Sequence, residues 1–340
     1  MHQAQELEVE FFFRKGLHLN QTEEYEKAVA SYDKVLELQP DHAEAWYTRG
    51  NALYRLHRYE EALASYDGAL ELKPGFYEAW NNRGNALDDL QRHAEAIASY
   101  NQALKFRPDY YWAWNNRGIA FRNLGHYEAA INSYDRGIEF KPDYAWAWYN
   151  RGLAFLKLGW LEKAIASYDK AVEFKPDFFE AWNSRGNTLY HLGLYAEAVD
   201  SFDRAIEFRP DYYWCWYNRA IALRNLKLYD RAVASYDRAL EIQPENPDAW
   251  YFRGVCLLYG KRYPEAIASL DQALALQPDN CAILYNKACC YSLQGDREQA
   301  LILLQQAINL NPVKYRKMAQ TDPDLDAIRS DEQFQKLLSD

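Results

Sequence analysis

Residues 45–74 read AWYTRGNALYRLHRYEEALASYDGALELKP, and close copies of this stretch fill most of the chain. Tryptophan recurs every 34 residues at Trp46, Trp80, Trp114, Trp148, Trp182, Trp216 and Trp250. Proline keeps the same step at Pro40, Pro74, Pro108, Pro142, Pro176, Pro210, Pro244, Pro278 and Pro312. A fixed period of this length means one small unit copied along the chain, each copy stacked on the next. Such a chain is a solenoid without a single core, so its function is sought on a surface.

Taking position 1 as the third residue after each proline gives nine units: 9–42, 43–76, 77–110, 111–144, 145–178, 179–212, 213–246, 247–280 and 281–314. Position 20 is alanine in every unit, from Ala28 to Ala300. Position 8 is glycine except at Ala220 and Ala288, position 24 is Tyr, Phe or Leu, and position 27 is small except at Val35. Helical spacing puts positions 4, 8 and 11 on one face of a first helix and positions 20, 24, 27 and 28 on one face of a second. Small residues at 8, 20 and 27 let the helices approach, and large residues at 4 and 24, such as Trp148 and Trp182, fill the space beside them. Proline at 32 stops the second helix. The Asp that often follows, as in Pro108-Asp109, suits a turn or cap before the next helix.

This spelling, with W at 4, G at 8, A at 20, an aromatic at 24, A at 27 and P at 32, resembles the tetratricopeptide repeat over residues 9–314. The resemblance, to repeats of bacterial type, implies an all-α, right-handed superhelical solenoid of helix–turn–helix repeats. Residues 1–8 read as an N-terminal extension. Residues 315–340 read as a C-terminal capping helix, with Leu325, Ile328, Phe334, Leu337 and Leu338 on one face. The family is defined by packing residues, so membership says little about function.

Position 7, usually leucine in the family, is arginine from Arg49 to Arg253, with Lys15 and Lys287 in the end units. Position 25 is aspartate at Asp33, Asp67, Asp135, Asp169, Asp203, Asp237 and Asp271. Cation and carboxylate appear together, so they read as a repeated pair that ties the helices, with Arg151 and Asp169 as one pairing. The other reading is a basic ladder for an anion.

The composition narrows the function classes. Net charge is −10 and the isoelectric point about 5.3, which argues against nucleic acid and an anionic membrane surface. The N-terminal stretch lacks a signal-peptide pattern, and no apolar run is long enough to span a membrane. Five cysteines without framework spacing read as reduced thiols in a cytoplasmic protein, with Cys256 and Cys290 packing as small apolar residues. Catalytic and phosphate-binding motifs are missing, the seven histidines share no repeat position, and neither a cofactor nor a metal site is expected. Asp88 and Asp89, with Glu44 and Glu78, form an acidic cluster that reads as a solvated face. A hard cation held there is the weaker alternative.

In the family, positions 2, 5, 6, 9, 12 and 13 of the first helices line the concave surface. At position 6 this chain has Asn82, Asn116, Asn150, Asn218 and Asn286. An amide donates and accepts at once, so a ladder of them can hold a peptide backbone. Position 2 is Glu44, Glu78 and Glu180 in three units but Trp112, Trp146 and Trp214 in three others. Position 9 follows the split: Asn51, Asn85 and Asn187 against Ile119, Leu153 and Ile221. Packing positions do not differ between the sets, so two kinds of inner surface are expected, one polar and acidic, one apolar and aromatic.

Exposed tryptophans cost solubility unless something covers them, and Trp, Tyr and Arg dominate binding hot spots. The expected site comprises Trp112, Trp146 and Trp214 as anchors, Asn116, Asn150 and Asn218 as backbone clamps, and Asn115 as a further partner-binding residue. Tyr149 and Tyr217 enlarge the patch, and Arg122, Lys157 and Arg224 supply positive charge. The expected function is a non-catalytic interaction module, an adaptor or assembly factor. Its partner is a protein or extended peptide, apolar or aromatic, with a carboxylate. Two alternatives stay open: a scaffold that self-assembles into a homo-oligomer, and an assembly factor delivering a metal through Asp88 and Asp89.

Overall fold

The computed structural model describes residues 2–339, all helical apart from turns, with no strand among them. Two compact units divide the chain, Met1–Pro176 and Asp177–Asp340. In the first, α1 (His2–Gln21) pairs with α2 (Tyr25–Leu38), α3 (Ala43–Arg55) with α4 (Tyr59–Leu72), α5 (Tyr77–Asp89) with α6 (His93–Phe106), α7 (Tyr111–Asn123) with α8 (Tyr127–Phe140) and α9 (Ala145–Lys157) with α10 (Leu161–Phe174). In the second, α11 (Phe179–His191) pairs with α12 (Tyr195–Phe208), α13 (Tyr213–Asn225) with α14 (Tyr229–Ile242), α15 (Pro247–Tyr259) with α16 (Tyr263–Leu276) and α17 (Cys281–Gln294) with α18 (Arg297–Leu310). Then follow α19 (Pro312–Thr321), a 3-10 turn (Pro323–Ile328) and α20 (Glu332–Ser339).

Each pair closes on the residue of position 24, a tyrosine in six of the nine repeats. Tyr66, Tyr100 and Tyr134 are fully buried, and so is Phe202 in the second compact unit. A β-carbon on Gly118 would lie 2.5 Å from Tyr134 Cε1, so position 8 is glycine because the ring occupies that space. The tryptophans of position 4, expected as buried packing residues, are instead half-buried. The indoles of Trp114, Trp148 and Trp216 donate to the carbonyls of Pro108, Pro142 and Pro210 at 2.7–2.9 Å. The Arg117 and Arg151 guanidinia each lie 4.2 Å from a tryptophan ring centre, over Trp114 and Trp148. The indole therefore staples the preceding loop, and the tyrosine fills the core.

Asp109, read as a turn or cap residue, lies in the turn, and Tyr110 stands at the N-cap of α7 without a side-chain hydrogen bond. The turn inside each pair has a constraint that the repeat spelling hides. Position 15 is left-handed in every unit, at Gly125, Gly159, Gly193 and Gly295 but also at Glu23, His57, Gln91, Lys227 and Lys261. It ends the first helix with a Schellman pattern: Gln91 N–H donates to Asp88 O at 2.9 Å and Arg92 N–H to Leu87 O at 2.8 Å. Glycine adopts this backbone without the β-carbon penalty.

The arginine of position 7 pairs with aspartate, but with that of the preceding repeat. Arg49 meets Asp33, Arg83 meets Asp67 and Arg151 meets Asp135, each at 2.7 Å. In the second compact unit Arg219 meets Asp203 at 2.5 Å and Arg253 meets Asp237 at 2.6 Å. Arg151 therefore does not pair with Asp169, as the spelling suggested. The same guanidinium reaches a position 23 serine of its own repeat, Arg49 to Ser65 at 2.7 Å. One side chain thus binds two successive second helices. Where position 25 is Asn101, Arg117 has a neutral partner at 2.9 Å, and burial pushes its guanidinium down to about 10.

The chain ends depart from the expected boundaries. Residues 2–8 contain no glycine or proline to break a helix, so α1 runs through them into the first repeat. Residues 315–340 hold three short elements instead of one helix, because Pro323 interrupts the pattern and Asp322 caps the 3-10 turn. Leu325, Ile328 and Phe334 are buried, and these elements pack on α17 and α18. Met1 and Asp340, at the ends of the expected extension and cap, lie outside the described residues.

Two outcomes follow for stability. Urea denaturation of Arg151→Leu, Asp135→Leu and the double variant should give a coupling of about 1 kcal/mol, while Asp169→Leu paired with Arg151→Leu gives none. Gln91→Gly should raise unfolding free energy by about 1 kcal/mol by relieving the left-handed residue, measured by the same denaturation.

Candidate functional site

Within a first helix, positions 2 and 4 lie about 200° apart, so a side chain at 2 faces away from one at 4. Trp112 and Trp146 in the first compact unit are 46% and 42% exposed, and Trp214 in the second is 49% exposed. Each leans on tyrosine. Trp112 lies 4.2 Å from Tyr111 and 5.5 Å from Tyr110 between ring centres. Trp146 lies 6.1 Å from Tyr149, and Trp214 lies 5.0 Å from Tyr213 and 5.8 Å from Tyr217. Tyr149 and Tyr217 are half-buried. Where position 2 is Glu44, the carboxylate instead accepts from Lys73 at 3.2 Å.

The asparagines of position 6 are engaged with the repeat before them. Asn82 Nδ2 donates to Asn51 Oδ1 at 2.9 Å and to the Tyr47 hydroxyl at 3.1 Å. Asn116 Nδ2 donates to Asn81 and Asn85 at 3.2 and 3.0 Å. Asn150, buried, donates to Asn115 at 3.0 Å and accepts from Arg122 Nη1 at 3.2 Å. In the second compact unit Asn218 donates to Asn187 at 2.9 Å. The expected backbone clamps are therefore spent as a ladder between repeats. The spelling carried that signal: an Asn at position 9 precedes Asn82, Asn116 and Asn218 by 31 residues, placing an acceptor beside each donor.

Of the cations, Arg122 keeps only the Asn150 contact among the described hydrogen bonds and ion pairs. Arg224 stacks 4.4 Å from the Phe252 ring centre, and Lys157 is exposed. Arg122 and Arg224 have no carboxylate partner among the described ion pairs.

The acidic cluster is occupied by protein groups. Asp88 lies 2.5 Å from His93 Nδ1, and Asp89 accepts from the Tyr54 hydroxyl at 2.5 Å. These residues line cavities that the sequence did not indicate. One of about 320 Å³ is bounded by Asn51, Tyr54, Arg55, Tyr66, Asn82 and Asn85. Its neighbour, about 280 Å³, adds Asp88, Asp89, Tyr100, Asn116 and Ile119. Among the described residues, ligand atoms close enough to share a metal come from Cys289, Asp322 and Asp324. Burial holds the Cys289 thiol well above its ordinary range, so the thiolate a metal needs is disfavoured. Asp322 already accepts from the Tyr285 hydroxyl at 2.8 Å and caps the 3-10 turn. All five cysteines are free thiols.

Tetratricopeptide-repeat family models match residues 13–75, 47–111, 145–178, 179–212, 217–280, 257–322 and 99–132, and a TPR repeat model matches 118–159. The chain belongs to the tetratricopeptide repeat family, in tandem repeats over most of its length. Among solved structures it is similar to YrrB, described as a TPR protein with an unusual peptide-binding site. That match is 22% identical, covers 55% of this chain and 97% of YrrB, and has a TM-score of 0.52. The C-terminal part of a TPR protein from Cytophaga hutchinsonii matches at 18% identity over 68% of this chain and 95% of its own, with a TM-score of 0.57. PilW, a type IV pilus biogenesis factor, matches at 23% identity over 59% of this chain and 94% of its own, with a TM-score of 0.54. At these identities the likeness is one of fold. No curated protein matches the chain. No described helix is long and apolar enough to cross a membrane.

The two sets of residues should separate in thermal and urea unfolding. Trp112→Ala should stay within about 0.5 kcal/mol of wild type, as for a surface site. Asn116→Ala should lose about 1 kcal/mol, because the buried Asn81 Oδ1 loses its donor while Asn85 Oδ1 keeps that of Tyr100.

Proposed function

We propose that this protein is a non-catalytic interaction module that holds an extended protein segment along its first helices, as an adaptor or assembly factor. The observation that carries this reading is the exposure of Trp112, Trp146 and Trp214 in a register where other repeats carry glutamate. Exposed aromatic surface, with Arg122, Arg224 and Lys157 further along the same first helices, suits a segment with apolar or aromatic side chains and a carboxylate. The net charge of −10 disfavours nucleic acid and anionic lipid. Free cysteines and the lack of a long apolar helix fit a cytoplasmic setting. YrrB's peptide-binding site and PilW's part in pilus biogenesis belong to those proteins, and they show that this fold can carry such roles. We take residues 315–340 as the cap that covers the last repeat.

Affinity capture from a lysate, comparing wild type with a Trp112/Trp146/Trp214→Ala triple variant, tests the reading. A partner retained by wild type should be lost from the variant. In titrations with the captured segment, each single Trp→Ala should cost about 2 kcal/mol of binding. If both proteins retain the same partners, the tryptophans are not the anchors. If ligand-free wild type sediments as an oligomer that Trp112→Ala dissociates, the face serves self-assembly instead.

A further inference from the structure

The position 24 hydroxyls are treated differently in different repeats. Tyr66 donates to Asn51 Oδ1 at 3.0 Å and Tyr100 donates to Asn85 Oδ1 at 2.9 Å. In both cases the acceptor is the asparagine of position 9. Where position 9 is aliphatic, that acceptor is gone. Tyr134 belongs to a core cluster against which Ile119 packs in the first compact unit, and the repeat of Tyr236 carries Ile221 at position 9 in the second. Both phenols are 0% exposed, and neither hydroxyl has a hydrogen-bond partner among the described residues.

Packing does not require these hydroxyls. Phe202, Leu270 and Leu304 occupy the same position, equally buried, without one. The repeats of the last two carry Val255 and Cys289 at position 9, so both polar groups are missing together there. A buried hydroxyl without a partner is destabilising, and the phenylalanine alternative avoids that cost. The two orphan hydroxyls also keep constant company. Trp112, Ile119, Arg122 and Tyr134 occupy positions 2, 9, 12 and 24 of one repeat. Trp214, Ile221, Arg224 and Tyr236 repeat the set in the other compact unit. Arg122 and Arg224 are close enough to act electrostatically on Tyr134 and Tyr236 respectively. Ile119 also lines the cavity of about 280 Å³.

We propose that the Tyr134 and Tyr236 hydroxyls are donors kept for an oxygen acceptor on the bound segment, a backbone carbonyl or a carboxylate. Each would form the floor of a subsite whose wall is Trp112 or Trp214 and whose charge comes from Arg122 or Arg224. This rests on the interaction-module reading, and it adds which polar groups a ligand must satisfy. It also explains why repeats with tryptophan at position 2 lost the asparagine of position 9. The asparagine would bond the hydroxyl internally and compete with the ligand.

The test has a ligand-free arm and a binding arm. Without ligand, Tyr66→Phe and Tyr100→Phe should melt lower than wild type, because each loses an internal hydrogen bond. Tyr134→Phe and Tyr236→Phe should melt at the same temperature or higher. For binding, hexapeptides selected on wild type from a displayed library with free C-termini serve as probes. Each is synthesised as the free acid and as the C-terminal amide. Tyr134→Phe or Tyr236→Phe should weaken at least one probe about 5- to 10-fold, well below the melting temperature. Loss confined to the free acid identifies a carboxylate as the acceptor, and equal loss for acid and amide identifies a backbone carbonyl. Unchanged affinity in both variants overturns the proposal, as does a lowered melting temperature in both. If wild type selects no peptide, the interaction-module reading itself fails, which is a separate outcome.

Discussion

In five of the nine repeats a tyrosine ring lies against the bare Cα of a glycine, and that contact sets how closely their two helices approach. With Gly118 facing Tyr134 and Gly84 facing Tyr100, the two helices of a repeat close to a distance that no β-carbon would permit. Everything else in the repeat serves that approach. The alanines of position 20 are fully buried beside the ring, and the left-handed residue at position 15 brings the second helix back at the needed angle. The half-buried tryptophan of position 4 fastens the loop that leads in. Its indole N–H goes to the proline carbonyl six residues earlier, so the proline both ends one helix and receives the staple of the next.

Bonds between repeats are made by few side chains, each used twice. An arginine at position 7 reaches the serine of its own second helix and the aspartate of the preceding one. An asparagine at position 6 donates back to positions 5 and 9 of the repeat before. Such contacts are short-range along the chain, as a solenoid requires. They also remove most of the polar groups of the first helices from availability to a ligand. What stays exposed includes Trp112, Trp146 and Trp214 at position 2 and Lys157, and that unspent chemistry is where a binding role can reside.

The sequence made the repeat, the helix pairing and the exposed tryptophans legible, because 3.6-residue periodicity separates positions 2 and 4 without any coordinates. It did not make the ion-pair register legible. Arg151 stands 16 residues after Asp135 and 18 before Asp169, and composition favours neither. Five of the nine left-handed turn residues are not glycine, so the turn chemistry gave no signal there. The asparagine ladder misled for a different reason. An amide that can clamp a peptide can equally clamp the next repeat, and only the paired asparagine 31 residues earlier tells the two apart. The polar cavities near Tyr54 and Asn85 form from residues of neighbouring repeats, so no single repeat spells them out.

The central claim is that the position 2 tryptophans meet a partner while those of position 4 hold the fold. Fluorine NMR of protein labelled with 5-fluorotryptophan tests it directly, with resonances assigned by single Trp→Phe substitutions. On titration with a captured partner segment, the signals of Trp112, Trp146 and Trp214 should shift or broaden, while those of Trp114, Trp148 and Trp216 stay in place. Shifts confined to the second group, or to neither group under saturating partner, would contradict the account.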